Sequence, residues 1–146
     1  MTLVSLPDTV PAAGQVRVRA EAIGVGRPDV LIRNGTYKWM PPLPAIPGAE
    51  LAGTIDAVGP EVTRWRVGDR VLVSARELPV RGGCYAEAIV VPQEAPFELP
   101  ASLDAHKAVN APNLQLAHAL FLAAGSDKAR SVLITGAAGG VATMLM

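Results

Sequence analysis

The chain has 146 residues, and 13 Lys and Arg side chains balance 13 Asp and Glu side chains. A domain of this size removes roughly two-thirds of the unfolded chain's surface from water, so it needs neither metal nor disulfide to build a core. The balanced charge gives no support for a nucleic-acid or anionic-membrane partner, and a small neutral ligand suits it better. Cys84 is the only cysteine, which excludes an internal disulfide. Because neither a signal peptide nor an apolar run of about 18 residues is visible, we expect a cytoplasmic protein.

The first hundred residues predict a small barrel built from short strands. Residues 15–22 alternate small apolar and charged side chains, which is typical of a strand with one wet face. Pro28 suits the first turn of a short helix over residues 29–34. Four prolines between residues 37 and 48, each without a backbone donor, argue against a regular helix or strand there. Turns that contain glycine separate three further predicted strands, at residues 50–58, 70–74 and 85–91.

The remaining residues predict helices followed by the opening of a nucleotide-binding unit. A helix is expected over residues 114–124, with a core-facing side formed by Leu116, Ala117, Leu120, Phe121 and Ala124. Residues 131–135 predict a strand that enters the glycine-rich turn at 136–142. A strand, a glycine-rich turn and a helix N-terminus begin a dinucleotide-binding βαβ unit of about 30 residues. We expect the chain to contain only the opening of that unit.

Five segments resemble the medium-chain dehydrogenase/reductase superfamily in order and spacing. They are residues 24–29, residues 46–50 with Gly53, residues 68–71, residues 82–87 and residues 136–142. The closest resemblance is to the zinc-free quinone oxidoreductase branch, which resembles zeta-crystallin. It implies a mainly β fold with some α: a GroES-like β-barrel over residues 1–104, then connecting helices and the first strand of an incomplete Rossmann domain over residues 105–146. The resemblance also implies that the chain is shortened at both ends.

The resemblance implies chemistry without zinc. Zinc-dependent members carry Cys where Gly26 stands and His where Ala49 stands, and one thiol with two distant histidines cannot form a tetrahedral zinc site. We therefore expect no metal and reject metal-assisted alcohol oxidation. The family reaction without metal is hydride transfer from NADPH to a quinone or conjugated enone, a small-molecule substrate. Zinc-free members often have Asn at position 26 facing the nicotinamide, so Gly26 departs from their pattern.

Three residues on or beside the short helix are the catalytic candidates. Tyr37 matches the family's Gly-x-Tyr and could donate a hydrogen bond to the oxygen on which charge develops. A ring in the barrel wall with its hydroxyl in water explains Tyr37 equally well. Arg27 and Asp29 belong to the same group and could assist. Trp39 and Met40 could form an apolar wall for a flat ring, and packing of the proline loop explains them as well.

The glycine-rich turn supplies the candidate cofactor residues. Gly139 would let the backbone approach a pyrophosphate, and the following helix N-terminus would present free N–H groups to it. A frayed tail is the alternative, because residues 141–146 are too few to hold a helix unaided. The candidate cofactor-binding residues are Gly136, Ala137, Gly139, Gly140 and Val141.

Three hypotheses about the whole chain remain open. In the first, it is a portion of a zinc-independent, NADPH-dependent quinone or enone oxidoreductase, inactive or nearly so by itself. In the second, it is a barrel module for binding or assembly that forms a homodimer through the unpaired apolar strand at residues 131–135. In the third, a separate polypeptide supplies the rest of the nucleotide domain.

Overall fold

The computed structural model describes residues 1–146, which divide into two units, Met1–Val109 and Asn110–Met146. The first unit contains five strands and two short helices: β1 (Gln15–Gly24), α1 (Arg27–Arg33), β2 (Glu50–Val58), β3 (Arg70–Ser74), β4 (Ala88–Pro92), β5 (Pro96–Glu98) and α2 (Ala105–Ala108). The second unit contains α3 (Ala111–Ala123) and 3₁₀ turns at Ser126–Lys128 and Ala142–Met144. The mainly β class expected for the first part of the chain is confirmed. The functional boundary near residue 104 stays a prediction.

The five strands form one antiparallel sheet in the order β4-β1-β2-β3-β5. The longest pairing joins β1 to β2, and its register shifts twice, between Arg17 and Val18 and between Ala20 and Ala22. Irregularities of this kind bend a strand and increase its twist, which curls the sheet around a core. The outer strands β4 and β5 are not paired with each other, so the barrel is open along one side.

The core lies on the concave face of this sheet, and the alternation predicted for β1 is confirmed. Val16 and Val18 are completely buried, while Arg17 and Arg19 stand on the opposite face. The buried cluster is completed by residues of the other strands and of the loops that cross them: Leu51, Ile55, Trp65, Val71, Val73, Ala75, Cys84, Val91 and Ala95.

The outer face of the sheet carries an ion-pair network centred on Asp56. The Arg17 Nε donates a hydrogen bond of 2.8 Å to Asp56 Oδ1, and an Arg19 guanidinium nitrogen lies 2.9 Å from Oδ2 without hydrogen-bond alignment. Partial burial acts to raise the pKa of Asp56, but the Arg17 hydrogen bond and the two arginine charges outweigh it and lower that pKa. The ionised form of Asp56 is therefore favoured in the folded chain.

We expect the Arg17→Met substitution to destabilise the fold in a pH-dependent way. A carboxyl whose folded pKa is lowered stabilises the fold above its unfolded pKa, about 3.9, and loses that contribution as the pH falls through the lower folded value. The variant should be less stable than the wild type at pH 7, and this difference in free energy of unfolding should shrink below about pH 4 as Asp56 is protonated. Urea unfolding at several pH values measures it, with Arg130→Met as a control. A difference that is constant with pH would contradict the assignment.

The second unit departs from the sequence prediction at two points. The strand predicted at residues 131–135 does not form, because these residues have no neighbouring strand to which their backbone could hydrogen-bond. The predicted core face of the helix is also wrong in part. Ala117 is fully buried and Phe121 half-buried, whereas Leu116, Leu120 and Ala124 are exposed.

Candidate functional site

The site is organised around Asp29, which lies in the first turn of helix α1. Gly26 precedes the helix with extended backbone angles, and Pro28 occupies the first turn, where its fixed φ costs nothing. The Asp29 side chain turns back, so that Oδ2 accepts a hydrogen bond of 2.8 Å from the Gly26 N–H. Its second oxygen, Oδ1, accepts a hydrogen bond of 3.1 Å from the N–H of Gly48. Asp29 is 6% exposed; its bond to Gly48 is buried and its bond to Gly26 is partly buried.

Gly48 lies where the proline loop, residues 34–48, meets the segment before β4. Its φ is +100°, and a Cβ there would lie 2.3 Å from Tyr85 Cδ1, so only glycine fits. Backbone bonds join the two segments: the N–H groups of Gly83, Cys84 and Tyr85 donate to the carbonyls of Ile46, Gly48 and Pro47 at 2.7, 3.3 and 2.9 Å. The end of the proline loop is therefore held on the barrel.

A cluster of acidic and weakly acidic groups surrounds Asp29. Burial raises the pKa of the half-buried Glu50, the Arg76 charge partly offsets this, and the Asp29 charge adds to it. Burial, with the charges of Glu50 and Asp29, raises the pKa of the Cys84 thiol to about 12. Because the thiolate is the nucleophile, a thiol held protonated and fully buried is a packing residue.

Tyr85 completes this cluster. Tyr85 as a whole is half-buried, but its hydroxyl oxygen is fully buried and has no hydrogen-bond partner of normal geometry. Burial and the nearby Asp29 carboxylate, with a smaller effect of Glu50, raise its pKa to about 12. The phenol is therefore protonated at neutral pH. Neither Tyr85 nor Glu50 was assigned a role from the sequence, although both lie in motifs that carry the family resemblance.

The other predicted catalytic residues lie on a more open surface. Tyr37 is half-buried and contacts the Trp39 ring edge-on, with centroids 5.7 Å apart and planes at 74°. Trp39 is 57% exposed, and the charged groups of Lys38 and Arg81 lie 5.3 and 5.6 Å from its ring centroid. Arg27 is exposed at the first turn of α1. The structure thus separates Asp29, which binds backbone groups, from Tyr37 and Arg27, which remain accessible.

An open cavity of about 220 Å³ lies between α1 and the proline loop, with mostly apolar walls. Met40 lines it and Trp39 does not, so only one of the two predicted wall residues faces this space. The other lining residues are Met1, Ile32, Arg33, Gly35, Leu43, Ala45 and Pro47. A second, polar cavity of about 170 Å³ contains none of the predicted site residues; Arg64, Trp65, Asp69, Arg70, Glu98 and Leu99 line it.

No group of three or more His, Cys, Asp or Glu side chains is placed to hold a metal ion. Gly26 and Ala49 stand where the resemblance places the zinc-binding Cys and His of zinc-dependent members, and neither has a side chain that could bind a metal. Around Asp29, both carboxylate oxygens accept backbone hydrogen bonds and the Cys84 thiol is held protonated, so these residues do not fit zinc, which takes three or four deprotonated nitrogen, sulfur or carboxylate ligands.

The predicted cofactor residues form a compact turn in the second unit. Gly136 has a φ of +64°, and the Gly139 N–H donates to its carbonyl at 2.8 Å. The Thr143 N–H donates to the Gly139 carbonyl at 2.9 Å, and a 3₁₀ turn follows instead of an α-helix. The glycines would let a phosphate approach the backbone. However, Gly139 already uses its N–H within the turn, and the strand and helix that would flank a dinucleotide are not formed. These residues fit the cofactor in composition and not in conformation.

A curled antiparallel sheet, with a short helix and a proline loop at one end, defines the catalytic barrel of the medium-chain dehydrogenase/reductase class. The family model for the alcohol dehydrogenase GroES-like domain matches residues 12–101, and the chain belongs to that family. A quinone oxidoreductase of Lama guanicoe is 39% identical over 134 residues, which cover 90% of this chain and 39% of that protein.

Solved structures lead to the same class. The quinone oxidoreductase of Thermus thermophilus, described also in its complex with NADPH, matches with a TM-score of 0.80 at 30% identity, over 99% of this chain and 44% of that one. A quinone oxidoreductase of Pseudomonas syringae pv. Tomato matches with a TM-score of 0.76 at 32% identity, over 97% of this chain and 43% of that one. The resemblance inferred from the motifs is confirmed. The chain spans about two-fifths of the length of these relatives.

None of the helices is both long and apolar enough to cross a membrane.

Proposed function

We propose that this chain forms the acceptor side of a zinc-independent, NADPH-dependent oxidoreductase that reduces a quinone or conjugated enone in the cytoplasm. The kinship with quinone oxidoreductases over nine-tenths of the chain carries this proposal. The residues at positions 26 and 49 support the zinc-independent form of the reaction, because Gly26 and Ala49 have no side chain that could bind a metal.

NADPH, when bound, supplies the hydride. The role of the barrel is to bind the flat acceptor and to stabilise the charge that develops on the acceptor oxygen. The hydroxyl of Tyr37, in the proline loop, is the proposed hydrogen-bond donor to that oxygen, and Arg27 adds a positive charge at the start of α1. Trp39 and Met40 are the proposed apolar contacts for the acceptor ring. Asp29 belongs to this site through its position on α1.

The residues proposed to hold the cofactor are Gly136, Ala137, Gly139, Gly140 and Val141. Because no strand–turn–helix frames them, we expect the chain alone to bind NADPH weakly or not at all and to be inactive or nearly so. Calorimetric titration of NADPH, with an NADPH–quinone turnover assay, tests this. Tight binding together with turnover at the rate of full-length relatives would overturn the inactivity, and would strengthen the assignment as an oxidoreductase.

Acceptor binding can be measured without NADPH through Trp39, because quinones quench tryptophan fluorescence and the other tryptophan, Trp65, is buried. We expect the Tyr37→Phe substitution to weaken quinone binding by about three- to tenfold, which corresponds to one hydrogen bond of about 0.5–1.5 kcal/mol. The Trp39→Phe variant gives the background signal. Equal affinity of wild type and the Tyr37 variant would remove Tyr37 from the donor role. Absence of saturable quenching in the wild type would contradict acceptor binding itself.

An assembly role is the second candidate, and one observation favours it. Leu133 is 90% exposed and Val132 50% exposed in a segment that pairs with no strand. An unpaired backbone segment with exposed apolar side chains can form strand pairs with a second copy of the chain. A homodimer at high micromolar concentration that becomes a monomer on Leu133→Lys substitution would support this role. A wild-type monomer in light scattering would exclude it.

A further inference from the structure

We infer that Asp29 is a positioning residue that fixes both ends of the proline loop and does not itself touch the acceptor. This inference rests on the proposed function, because the loop carries the residues proposed to bind the acceptor. The single carboxylate joins two backbone segments, of which the farther is 19 residues from Asp29 in the chain. One oxygen holds Gly26, where α1 begins, and the other holds Gly48, where the loop ends.

The first end of the loop is fixed through α1. The N–H of Gly35 donates to the Ile32 carbonyl at 3.0 Å, and that of Thr36 donates to the Leu31 carbonyl at 2.9 Å. These bonds join the helix directly to Tyr37, the next residue. A shift of the helix start at Gly26 would therefore move Tyr37 with the helix.

The second end is fixed at Gly48, which also packs against the Tyr85 ring. Without Asp29, the Gly48 N–H would be buried and unpaired, a state that costs more than the bond contributes when formed. Trp39 and Met40 lie between the two anchored ends. The geometry thus explains how an acid with 6% exposure can serve a site formed by more accessible side chains.

A carboxylate suits this task better than an amide. Both donors are N–H groups, and an ionised carboxyl accepts at both oxygens. An asparagine would accept at one atom and present its own N–H₂ to the other donor, so one of the two bonds would be lost. The Asp29→Asn substitution would therefore keep the size of the side chain and release one end of the loop.

The groups that face Asp29 define the control. Glu50, Cys84 and Tyr85 all sense its charge, and Arg76 acts on Glu50. Glu50→Gln removes a neighbouring charge without removing a bond to Gly26 or Gly48. We call the two hydrogen bonds that Asp29 accepts from Gly26 and Gly48 the clamp. Glu50→Gln therefore separates the effect of losing charge in the cluster from the effect of losing the clamp.

The test combines amide exchange with acceptor binding on the whole chain. In Asp29→Asn, we expect the Gly26 or the Gly48 amide to exchange about tenfold faster or more, relative to the barrel amides, with quinone quenching of Trp39 weakened in parallel. Glu50→Gln should leave both amides protected. Unchanged protection of Gly26 and Gly48 in Asp29→Asn would overturn the inference.

Two further measurements on the wild type cover the remaining outcomes. If Asp29→Asn does not fold, amide exchange of the wild type under native conditions still tests the clamp: the Gly26 and Gly48 amides should open together, and separate opening of the two would refute it. A shift of the Asp29 carboxyl carbon resonance larger than those of the two amides on adding quinone would mean direct contact and would also refute it. If the wild type binds no quinone, the proposed function fails while the exchange result still decides the clamp.

Discussion

Gly53→Ala is expected to lower the free energy of unfolding by about 3 kcal/mol or more, one of the largest effects available to a single methyl group in this chain. Gly53 lies in the middle of β2, and a Cβ added there would be 1.9 Å from the Arg19 carbonyl oxygen and 2.9 Å from its carbon. Both contacts are backbone atoms of the paired strand, so β1 and β2 would have to separate. Thermal and urea unfolding measure the effect.

Gly26→Ala is the matched control for Gly53→Ala. Gly26 has a φ of −118°, which any residue adopts, and an added Cβ would meet the Pro28 ring at 3.3 Å and Asp29 Oδ2 at 3.6 Å. We expect its stability to stay within about 1 kcal/mol of wild type. Similar losses in the two variants would contradict the strand contact as the cause.

This contrast bears on function, because the fold does not require glycine at position 26. The departure from the family's Asn at this position therefore concerns what the site can hold rather than how the backbone runs. Gly26→Asn can be made without breaking α1, and comparing its quinone binding with that of Gly26→Ala separates the effect of the amide from that of bulk.

Strand β1 could be predicted from its alternation, because buried residues such as Val16 and Val18 alternate with more exposed ones. Strands β2 and β3 contain runs of consecutive buried residues, so their prediction rested on the glycine turns near them. The bounds predicted for β2 and β3 agree with the structure, since glycine turns delimit both segments and burial selects their register. Strand β5 was missed because it has only three residues and begins with Pro96, a residue typical of strand ends. Proline is tolerated there because β5 is an edge strand.

The site was harder to predict because its key contacts are long-range. The sequence singled out Asp29 through its family motif, but nothing local indicates that its second oxygen binds Gly48, 19 residues away. Tyr85 and Glu50 join the cluster only when the sheet folds and brings distant segments together. The strand predicted at residues 131–135 was wrong for a different reason. Its apolar composition favours a strand, but a strand also needs a neighbouring strand to pair with, and composition does not show whether one is present.

Trp65→Ala is the second substitution from which we expect a large loss, about 3–5 kcal/mol of the free energy of unfolding. Trp65 is 6% exposed in the core cluster, and its Nε1–H donates to the Gln93 carbonyl at 2.6 Å. The Gln93 side chain in turn accepts from the N–H of Thr63 at 3.1 Å and donates to the Glu61 carbonyl at 3.4 Å. These bonds join the loop between β2 and β3 to the turn between β4 and β5.

The position of Trp65 explains why the effect should exceed that of an ordinary core residue. The edge strands β4 and β5 do not pair with each other, so no backbone ladder closes the barrel there. Trp65 and Gln93 supply the closure through one ring and three hydrogen bonds. Trp65→Phe keeps most of the packing and removes only the bond to the Gln93 carbonyl, so we expect a smaller loss of about 1–2 kcal/mol. Urea unfolding followed by circular dichroism separates the two variants. Equal losses would mean that the hydrogen bond, and not the packed ring, holds the open side of the barrel together.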